Sequence, residues 1–307
     1  MPALASLSLL LLVQASAETP EPPRLPDGVR AMIEAAIATG DGTATETVIR
    51  LARQTHPNAL AEIDKLEELW RGQLARRDAN QAQERQEKLA KAGLFDNWKG
   101  QAELGASRAT GSSRNFGVYA ALGLDREGVD WRHKITARAD IQETNQVTTT
   151  ERVLASWQPN YKFGDRLYSY GLAQYEYDPI QGYDGRYTLG GGLGYGVLRG
   201  EKTKLDFEGG PTLRHLDRVD GTNQTGLAAR ASLNLALKLS PDLEVKQTSA
   251  FYYEQGDTSA SALTTLDARL FGPLKARFSY DVRYETGASA SAEQLNTVSR
   301  ATLVYSF

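Results

Sequence analysis

The strongest constraint on the fold is a change in the period of the hydrophobic pattern at Trp98. From there to the C-terminus, apolar residues recur at every second position, and polar or charged residues occupy the positions between them. In segment 275–285, Phe278 and Tyr280 fall on one face, whereas Arg277 and Asp281 fall on the other. Because successive side chains of a strand point to opposite faces, this alternation predicts β-strands with one apolar and one charged face.

About twelve such segments follow one another along the chain. They are 98–107, 115–125, 129–141, 149–157, 166–177, 183–195, 202–214, 225–239, 242–253, 259–271, 274–285 and 296–307. Most run for roughly 10 to 13 residues, whereas strands of soluble proteins average about 5 to 6 and a tilted bilayer crossing needs about 9 to 11. The pattern therefore predicts an all-β fold, a transmembrane antiparallel up-and-down β-barrel of about 12 strands over residues 96–307.

The connections between the segments alternate in length. Tight turns are expected at 126–128, 199–201, 240–241 and 272–273, although the connection 158–165 on the same rim is longer, and longer polar loops are expected at 108–114, 142–148, 178–182, 215–224, 254–258 and 286–295. Short turns on one rim and longer loops on the other are typical of outer-membrane barrels, whose chain ends lie at the periplasmic rim.

Aromatic residues are expected to form a girdle at each rim. The short-turn rim would carry Trp98, Trp131, Trp157, Tyr161, Tyr195, Phe271 and Phe307, and the loop rim Tyr177, Tyr183, Tyr252, Tyr253 and Tyr284. Such girdles mark the two membrane interfaces of outer-membrane barrels.

The chain before the barrel has a different organisation. Residues 1–17 combine an apolar run with a small-residue ending, which predicts a cleaved signal peptide, the alternative being an uncleaved N-terminal helix. Residues 18–28 form a Pro-rich spacer, and 29–95 show helical periodicity, which predicts an α-helical periplasmic segment. A helical hairpin is favoured over a coiled-coil or cell-wall-contacting arm, since apolar heptads are not sustained.

Composition removes several classes of function. The chain has no Cys and three His, and its formal net charge is -3. We therefore expect no metal site, no cofactor, no catalytic residues and no nucleic-acid partner. The mean hydropathy of -0.44 argues against a helical membrane protein but is compatible with a barrel.

Several short motifs resemble a known family. They are Trp98-Lys99-Gly100, residues 128–133, residues 174–178, Gly182-Tyr183, Arg186, residues 190–195, residues 208–211 and the terminal residues 300–307. Together they make segment 98–307 similar to the salt-induced outer-membrane protein family, the domain of unknown function 481, and the preceding helices resemble an N-terminal extension of some members. The resemblance implies an outer-membrane barrel and supplies no reaction, substrate or catalytic residue.

The interior of the barrel is the candidate site. The lumen-facing candidates are Arg132, Lys134, Arg138, Asp140, Lys204, Asp206, Glu208, Asp267, Arg269, Lys275, Arg277, Asp281 and Arg283, with Arg230, Lys238 and Arg300 on the same faces. These residues fit either a narrow channel with a basic bias or a closed interior cross-linked by ion pairs. About 8 strands fill with side chains and roughly 16 to 18 leave an aqueous channel, so twelve strands leave both open. A narrow or gated pore is slightly favoured.

Other motifs carry weaker predictions. Tyr305 and Phe307 end an alternating strand on an aromatic residue, which indicates an assembly signal for the barrel-assembly machinery. Glu176 and Asp178 could form a carboxylate pair, but an inter-strand ion pair with Arg186 is preferred. The glycines at 190–194 indicate strand curvature or close packing rather than a phosphate loop.

The function predicted from the sequence is an integral outer-membrane barrel of unspecified role, either a narrow pore for ions or small solutes or a stress-linked envelope protein. The alternatives are a plugged structural or binding barrel, a lipid-modifying enzyme using His133 or His215, and a soluble periplasmic β-protein. The expected partners are outer-membrane lipid, the barrel-assembly machinery and small solutes or ions. A monomer is expected.

Overall fold

The computed structural model describes residues 24–93, 96–109, 114–286 and 294–307. The predicted signal peptide and most of the Pro-rich spacer lie outside the described residues. The chain divides into two compact units, of which the first ends at Arg85 and the second begins at Gln86. No helix within the described ranges is long and apolar enough to span a membrane.

The first unit is helical. It contains α1 (Asp27–Thr39), α2 (Gly42–Thr55), a short 3-10 helix (Pro57–Ala59) and most of α3 (Leu60–Lys91), which crosses the boundary between the units. Gly40 ends α1 with a φ of 73°, a conformation that glycine adopts without strain. Asp41 then caps α2, since its carboxylate accepts hydrogen bonds from the N–H groups of Thr43 at 2.9 Å and Ala44 at 3.1 Å.

The helices of this unit bury one apolar stripe each. Their core contains Leu25, Ile33, Ile49, Ala52, Ala59, Ile63 and Trp70. The second half of α3, from Arg76 onward, carries mostly exposed polar side chains. Amphipathic packing therefore accounts for the hairpin and the first turns of α3, and the rest of α3 is a solvated helix.

The second unit is a closed antiparallel barrel. Its strands are β1 (Trp98–Ala109), β2 (Asn115–Glu127), β3 (Trp131–Thr144), β4 (Val147–Lys162), β5 (Leu167–Asp178), β6 (Tyr183–Arg199), β7 (Thr203–Arg218), β8 (Asn223–Ser240), β9 (Leu243–Glu254), β10 (Asp257–Phe271), β11 (Leu274–Glu285) and β12 (Leu295–Ser306). Each strand pairs with its neighbours in sequence, and β1 pairs with β12 through Gln101–Ser306 to Leu104–Leu303. The predicted twelve-strand antiparallel barrel with a helical segment before it is confirmed.

The two faces of the barrel wall have opposite chemistry. Outward side chains are large and apolar, and Leu104, Leu189 and Leu227 are 68%, 65% and 75% exposed. Inward positions hold most of the buried charges, such as Glu208 and Asp281. The pairing of β1 with β12 closes the sheet on itself, so the two end strands of the sheet are hydrogen-bonded to each other along the closing seam from Gln101 to Leu104.

We call the end that carries Trp98 and Phe307 the terminal rim and the other end the distal rim. The expected difference in loop length between them is smaller than the sequence suggested. At the distal rim, β3 and β4 are joined only by Asn145 and Gln146, with φ of 53° and 69°, and β9 and β10 only by Gln255 and Gly256. Backbone pairing continues through polar residues after the apolar alternation ends, so the strands extend into the expected loops.

The distal aromatic girdle needs a correction. Tyr183 and Tyr252 were expected at the membrane interface, but both side chains are buried inside the barrel, at 3% and 8% exposure. Adjacent residues of a strand face opposite ways, so Tyr252 and Tyr253 cannot share a face, and Tyr253 is the exposed one. A register shift between Tyr183 and Gly185 turns Tyr183 inward.

Candidate functional site: the charged lumen

The inward faces of the strands enclose the lumen, which holds most of the predicted site residues. Seven of the candidates line its main cavity: Lys134, Arg138, Lys204, Asp206, Arg277, Asp281 and Arg283. Asp140, Glu208 and Asp267 are buried in ion pairs with Arg300, Arg230 and Arg277. Arg132 stacks over the ring of Tyr168 at 5.0 Å, and Lys275 is half-buried opposite Arg269.

One candidate lies outside this charged interior. Arg269 is exposed at the terminal rim, where its Nε is 3.7 Å from Asp242 Oδ1 in the β8–β9 turn. Lys238, on the same rim, is exposed as well. An inward-facing strand position therefore places its side chain inside the charged lumen only where that position lies away from the rim of the barrel.

Ion pairs cross the lumen in the half nearer the distal rim. Arg152 Nη2 on β4 is 3.4 Å from Asp281 Oδ2 on β11, and these strands are separated around the wall by β12, β1, β2 and β3. Arg186 Nη1 on β6 donates to Glu285 Oε1 on β11 at 2.9 Å, again across four intervening strands. Each of these two ion pairs joins opposite sides of the barrel wall, and we call them the chords. They narrow the lumen at this level.

Further pairs tie the chords to the wall. Arg186 Nε also donates to Glu176 Oε2 at 2.8 Å on the neighbouring strand, and Arg300 donates to Asp140. The preferred interpretation of Glu176, an ion pair with Arg186, is the one observed. We call the set Asp140, Arg152, Glu176, Arg186, Asp281, Glu285 and Arg300 the constriction. The side chains of Arg152, Asp281, Glu176 and Arg186 are 5–8% exposed, so water reaches little of them.

A second network surrounds Glu208, below the constriction. This carboxylate accepts hydrogen bonds from Gln158 Nε2 at 2.8 Å, Ser232 Oγ at 2.9 Å, Tyr168 Oη at 3.0 Å and Arg230 Nη1 at 3.3 Å. A buried carboxylate is expensive unless it is paired and hydrogen-bonded, and here four donors from three strands, β4, β5 and β8, meet that requirement.

Glycines of β6 make room for the tyrosine in this network. A Cβ on Gly194 would lie 2.2 Å from the ring of Tyr168, and a Cβ on Gly192 would lie 2.1 Å from Gly209 O of β7. The glycine run thus lies inside a strand, where it allows close approach of the ring and of the neighbouring backbone.

The main cavity of the lumen has a volume of about 530 Å³. It extends from the constriction, where Arg186 and Glu285 line it, toward the terminal rim, where its lining includes the exposed Lys204. A separate pocket of about 40 Å³ lies on the distal side, and Arg186 and Glu285 line it too. The constriction therefore separates a large compartment from a small one.

The cavity wall carries more positive than negative side chains. Its lining includes eight Lys or Arg residues (Lys134, Arg138, Arg186, Lys204, Arg230, Lys246, Arg277 and Arg283) and six Asp or Glu residues (Glu103, Asp125, Glu176, Asp206, Asp281 and Glu285), an excess of 8 − 6 = 2 positive charges. This surplus bears on which solutes the lumen accepts.

Sequence reasoning missed several members of these networks. Glu103, Arg152 and Lys246 occupy inward positions of strands that had been identified, so strand parity alone would have found them. Tyr168 and Tyr170 are large aromatic residues inside the barrel. Their inward position could have been predicted from the glycines at every second, inward position of the neighbouring strand β6, which leave space for large rings.

The remaining predicted residues lie on the outside or at the seam. Phe307 exchanges backbone hydrogen bonds with Gly100 at 2.7 and 2.9 Å, and its ring stacks on Tyr305 at 6.2 Å. The ring of His133 stacks between Trp131 and Trp157 on β3 and β4, at 6.1 and 6.2 Å.

His215 lies within β7 rather than in a loop, because β7 extends to Arg218. Its Nδ1 is 2.6 Å from Thr225 Oγ1, and its Nε2 is 3.2 Å from Asp217 Oδ1. The two histidines are on different strands and the structure does not bring them together. Within the described ranges, no three His, Asp or Glu residues are grouped so that they could hold a metal ion.

Comparison with known proteins yields one curated relative and several solved barrels. The Escherichia coli (strain K12) protein "Uncharacterized protein YdiY" is 22% identical over 206 residues, which cover 67% of this chain and 81% of that protein. The NanC porin is 11% identical with a TM-score of 0.44, and covers 67% of this chain and 98% of its own. An outer membrane channel from Pseudomonas putida F1 is 9% identical with a TM-score of 0.42, and covers 71% of this chain and 100% of its own.

The family match covers almost the whole barrel. Residues 102–307 match the family described as "Protein of unknown function, DUF481". This confirms the resemblance drawn from the sequence at the level of the domain family, whereas salt induction stays a prediction. The chain belongs to the family of proteins of unknown function DUF481.

Proposed function

We propose that this chain is an integral outer-membrane β-barrel that acts as a narrow pathway for ions or small solutes, closed at the constriction by ion pairs. The observation that carries the proposal is the contrast between an apolar outer wall and a charged lumen crossed by the Arg152–Asp281 and Arg186–Glu285 chords. We propose no enzymatic role for the lumen.

The outer wall supports membrane insertion. Its strands are 12 to 18 residues long, which exceeds the roughly 9 to 11 residues that a tilted strand needs to cross a bilayer. Apolar side chains that are half or more exposed, such as Leu193 at 59% and Phe278 at 53%, recur on neighbouring positions of the wall. An exposed apolar surface of this extent on a soluble protein would promote association, whereas lipid covers it without penalty.

The orientation follows from where the chain ends meet. In outer-membrane barrels the ends and the short turns face the periplasm, so the terminal rim would face the periplasm and the helical unit would reside there. Tyr305 and Phe307 would be recognised by the barrel-assembly machinery at that rim, and the folded barrel would function as a monomer.

The test is single-channel conductance in a planar bilayer, on full chain whose folding is checked by heat-modifiable gel mobility. We expect small or brief current steps from the wild type. The double variant Arg152→Gln/Asp281→Asn removes both charges of one chord and also releases Arg283 from Asp281, so we expect larger steps from it. The control is Arg53→Gln/Asp64→Asn, which removes a 2.5 Å ion pair of the same chemistry in the helical unit. A folded barrel that stays silent with and without the chord would refute the pathway and favour a plugged structural barrel.

A second candidate is a lipid-modifying enzyme, which the Thr225–His215–Asp217 arrangement on the outer face favours. In this arrangement His215 would act as the base for the Thr225 hydroxyl. Fatty-acid release from phospholipid vesicles that disappears in His215→Ala but not in His133→Ala would support it. The absence of any such release by the folded wild type would exclude it for that substrate.

A further inference from the structure

The carboxylates of the lumen cavity are nearly all neutralised by neighbouring cations. Glu103 accepts from Arg277 at 2.8 Å, and Asp206 Oδ1 is 2.6 Å from Arg199 Nη2. The carboxylates of the constriction are paired as well, with Glu285 held by Arg186. Among the carboxylates that line the cavity, Asp125 alone has no cation within 4.0 Å in the described part of the chain.

Several cations of the same cavity have no such partner. Lys134, Arg138 and Lys204 line the cavity, and within the described ranges no carboxylate lies within 4.0 Å of their charged atoms. The cavity therefore carries three cationic side chains that no carboxylate of the described residues contacts directly, so they are available to acceptors from an anionic solute.

From this arrangement we infer that the lumen cavity is a binding site for a small multivalent anion bearing carboxylate or phosphate groups. Lys134 and Arg138 on β3 face the site from one wall and Lys204 on β7 from another, so a ligand with separated anionic groups contacts both. The inference deepens the proposed function, on which it rests, by naming the class of solute.

The size of the cavity agrees with that class. Small-molecule sites commonly occupy about 300 to 1,000 Å³. The cavity has about 530 Å³, and its exposed Lys204 lies at the end nearest the terminal rim. A solute would therefore be drawn in from that rim, and the constriction would hold it in the larger compartment.

The test is isothermal titration of citrate into the folded full chain in detergent micelles at low salt. The lumen variant Lys134→Gln/Arg138→Gln/Lys204→Gln removes the three unpaired cations. We expect its citrate affinity to be at least about tenfold weaker than that of the wild type. The matched control is Arg166→Gln/Lys202→Gln/Arg269→Gln, which removes the same charge from exposed positions near the terminal rim and should change affinity less than twofold, about the level expected from screened charges.

Two results would overturn the inference. One is a wild type that gives no binding heat with citrate or with inorganic phosphate up to about 10 mM, which is weaker than a specific site provides. The other is an equal loss of affinity in the control variant, which would show that overall charge attracts the anion. Titrating both anions distinguishes carboxylate from phosphate as the preferred group.

This experiment is independent of the current measurement. A barrel that binds citrate but stays silent in the bilayer would refute passage and retain the site. A barrel that conducts but binds neither anion would refute the site and retain the pathway.

Discussion

Arg277 provides a sharp test of how the closure seam of the barrel is stabilised. Its guanidinium donates to Asp267 at 2.5 and 2.7 Å, to Glu103 at 2.8 Å and to Gln101 at 3.2 Å. These contacts join β10 and β11 to β1 inside the wall, next to the strand pair that closes the barrel. Replacing Arg277 by Met keeps much of the side-chain volume and leaves two carboxylates without their main partner.

The expected loss in the free energy of unfolding follows from the burial of the two carboxylates that Arg277 contacts. The side chains of Asp267 and Glu103 are 2% and 6% exposed, and removing one partner of such a buried pair costs about 3 to 5 kcal/mol. Part of the loss is offset, since Lys246 stays 3.5 Å from Asp267 and Thr302 still donates to Glu103 at 2.5 Å. We therefore expect Arg277→Met to lower the free energy of unfolding by about 3 kcal/mol, the lower end of that range.

The assay is urea-induced unfolding from lipid vesicles, followed by tryptophan fluorescence. Adding Asp267→Asn and Glu103→Gln to Arg277→Met removes the unpaired charges, so the triple variant should regain at least about half of the loss. Arg269→Met is the control, because this exposed arginine and Asp242 form a surface pair worth about 0 to 1 kcal/mol. The reasoning fails if Arg277→Met unfolds within about 0.5 kcal/mol of the wild type, or if the triple variant is less stable than the single one.

Three further predictions concern the outer wall, the glycine run and a loop. Leu193→Arg, in the middle of β6 and 59% exposed, should lower the free energy of unfolding from vesicles by about 2 to 4 kcal/mol, and a normal midpoint would show that this face does not contact lipid. Gly192→Ala should destabilise by about 1 to 3 kcal/mol in the same assay, because its Cβ would lie 2.1 Å from a carbonyl oxygen of β7, whereas Gly123→Ala meets nothing within 4 Å and should change little. In the β7–β8 loop, the hydroxyl and N–H of Thr222 donate to Asp220 and lower the pKa of that carboxyl, so the loop contact is retained above the ordinary Asp pKa and is lost as pH falls through the lowered one. Thr222→Ala should therefore raise the pKa of Asp220 in an NMR titration, and an unchanged pKa would contradict this cause.

The face that each strand residue occupies was predictable, because the alternation of apolar and charged residues leaves little freedom in the register of the strands. A shift of one residue in β11 would move Arg277 to the lipid face and Phe278 to the lumen, and both changes are unfavourable. The strand ends were not predictable in the same way. Thr144 and Val147 pair across a two-residue turn although the surrounding sequence is polar, because backbone hydrogen bonds do not depend on the side chains.

The sequence predicts which side chains of the site face the lumen, but it does not predict which of them form ion pairs with each other. Parity along β11 places Asp281 inside, but nothing in the sequence shows that its partner is Arg152, since the two strands are far apart in order and meet only when the barrel closes. The interior was expected to hold charged side chains, so the inward position of Tyr168 was not predicted. Its ring fits there because Gly194 on the next strand leaves space for it.

The strand count alone left open whether the lumen is a pore or a filled core. Which kind of side chain blocks the lumen says more about whether it can open than the number of strands does. At the level of the constriction the lumen is crossed by Arg186 and Arg152, whose partners are carboxylates on the far wall. A lumen filled by apolar side chains would stay closed whatever its charge state, because dispersion and the hydrophobic effect act on neutral groups. Closure by ion pairs is different, since it depends on complementary charges and competes with solvent and mobile ions. A multivalent anion held beside the constriction offers those arginines alternative partners, so solute binding and opening of the pathway would be coupled through the same guanidinium groups.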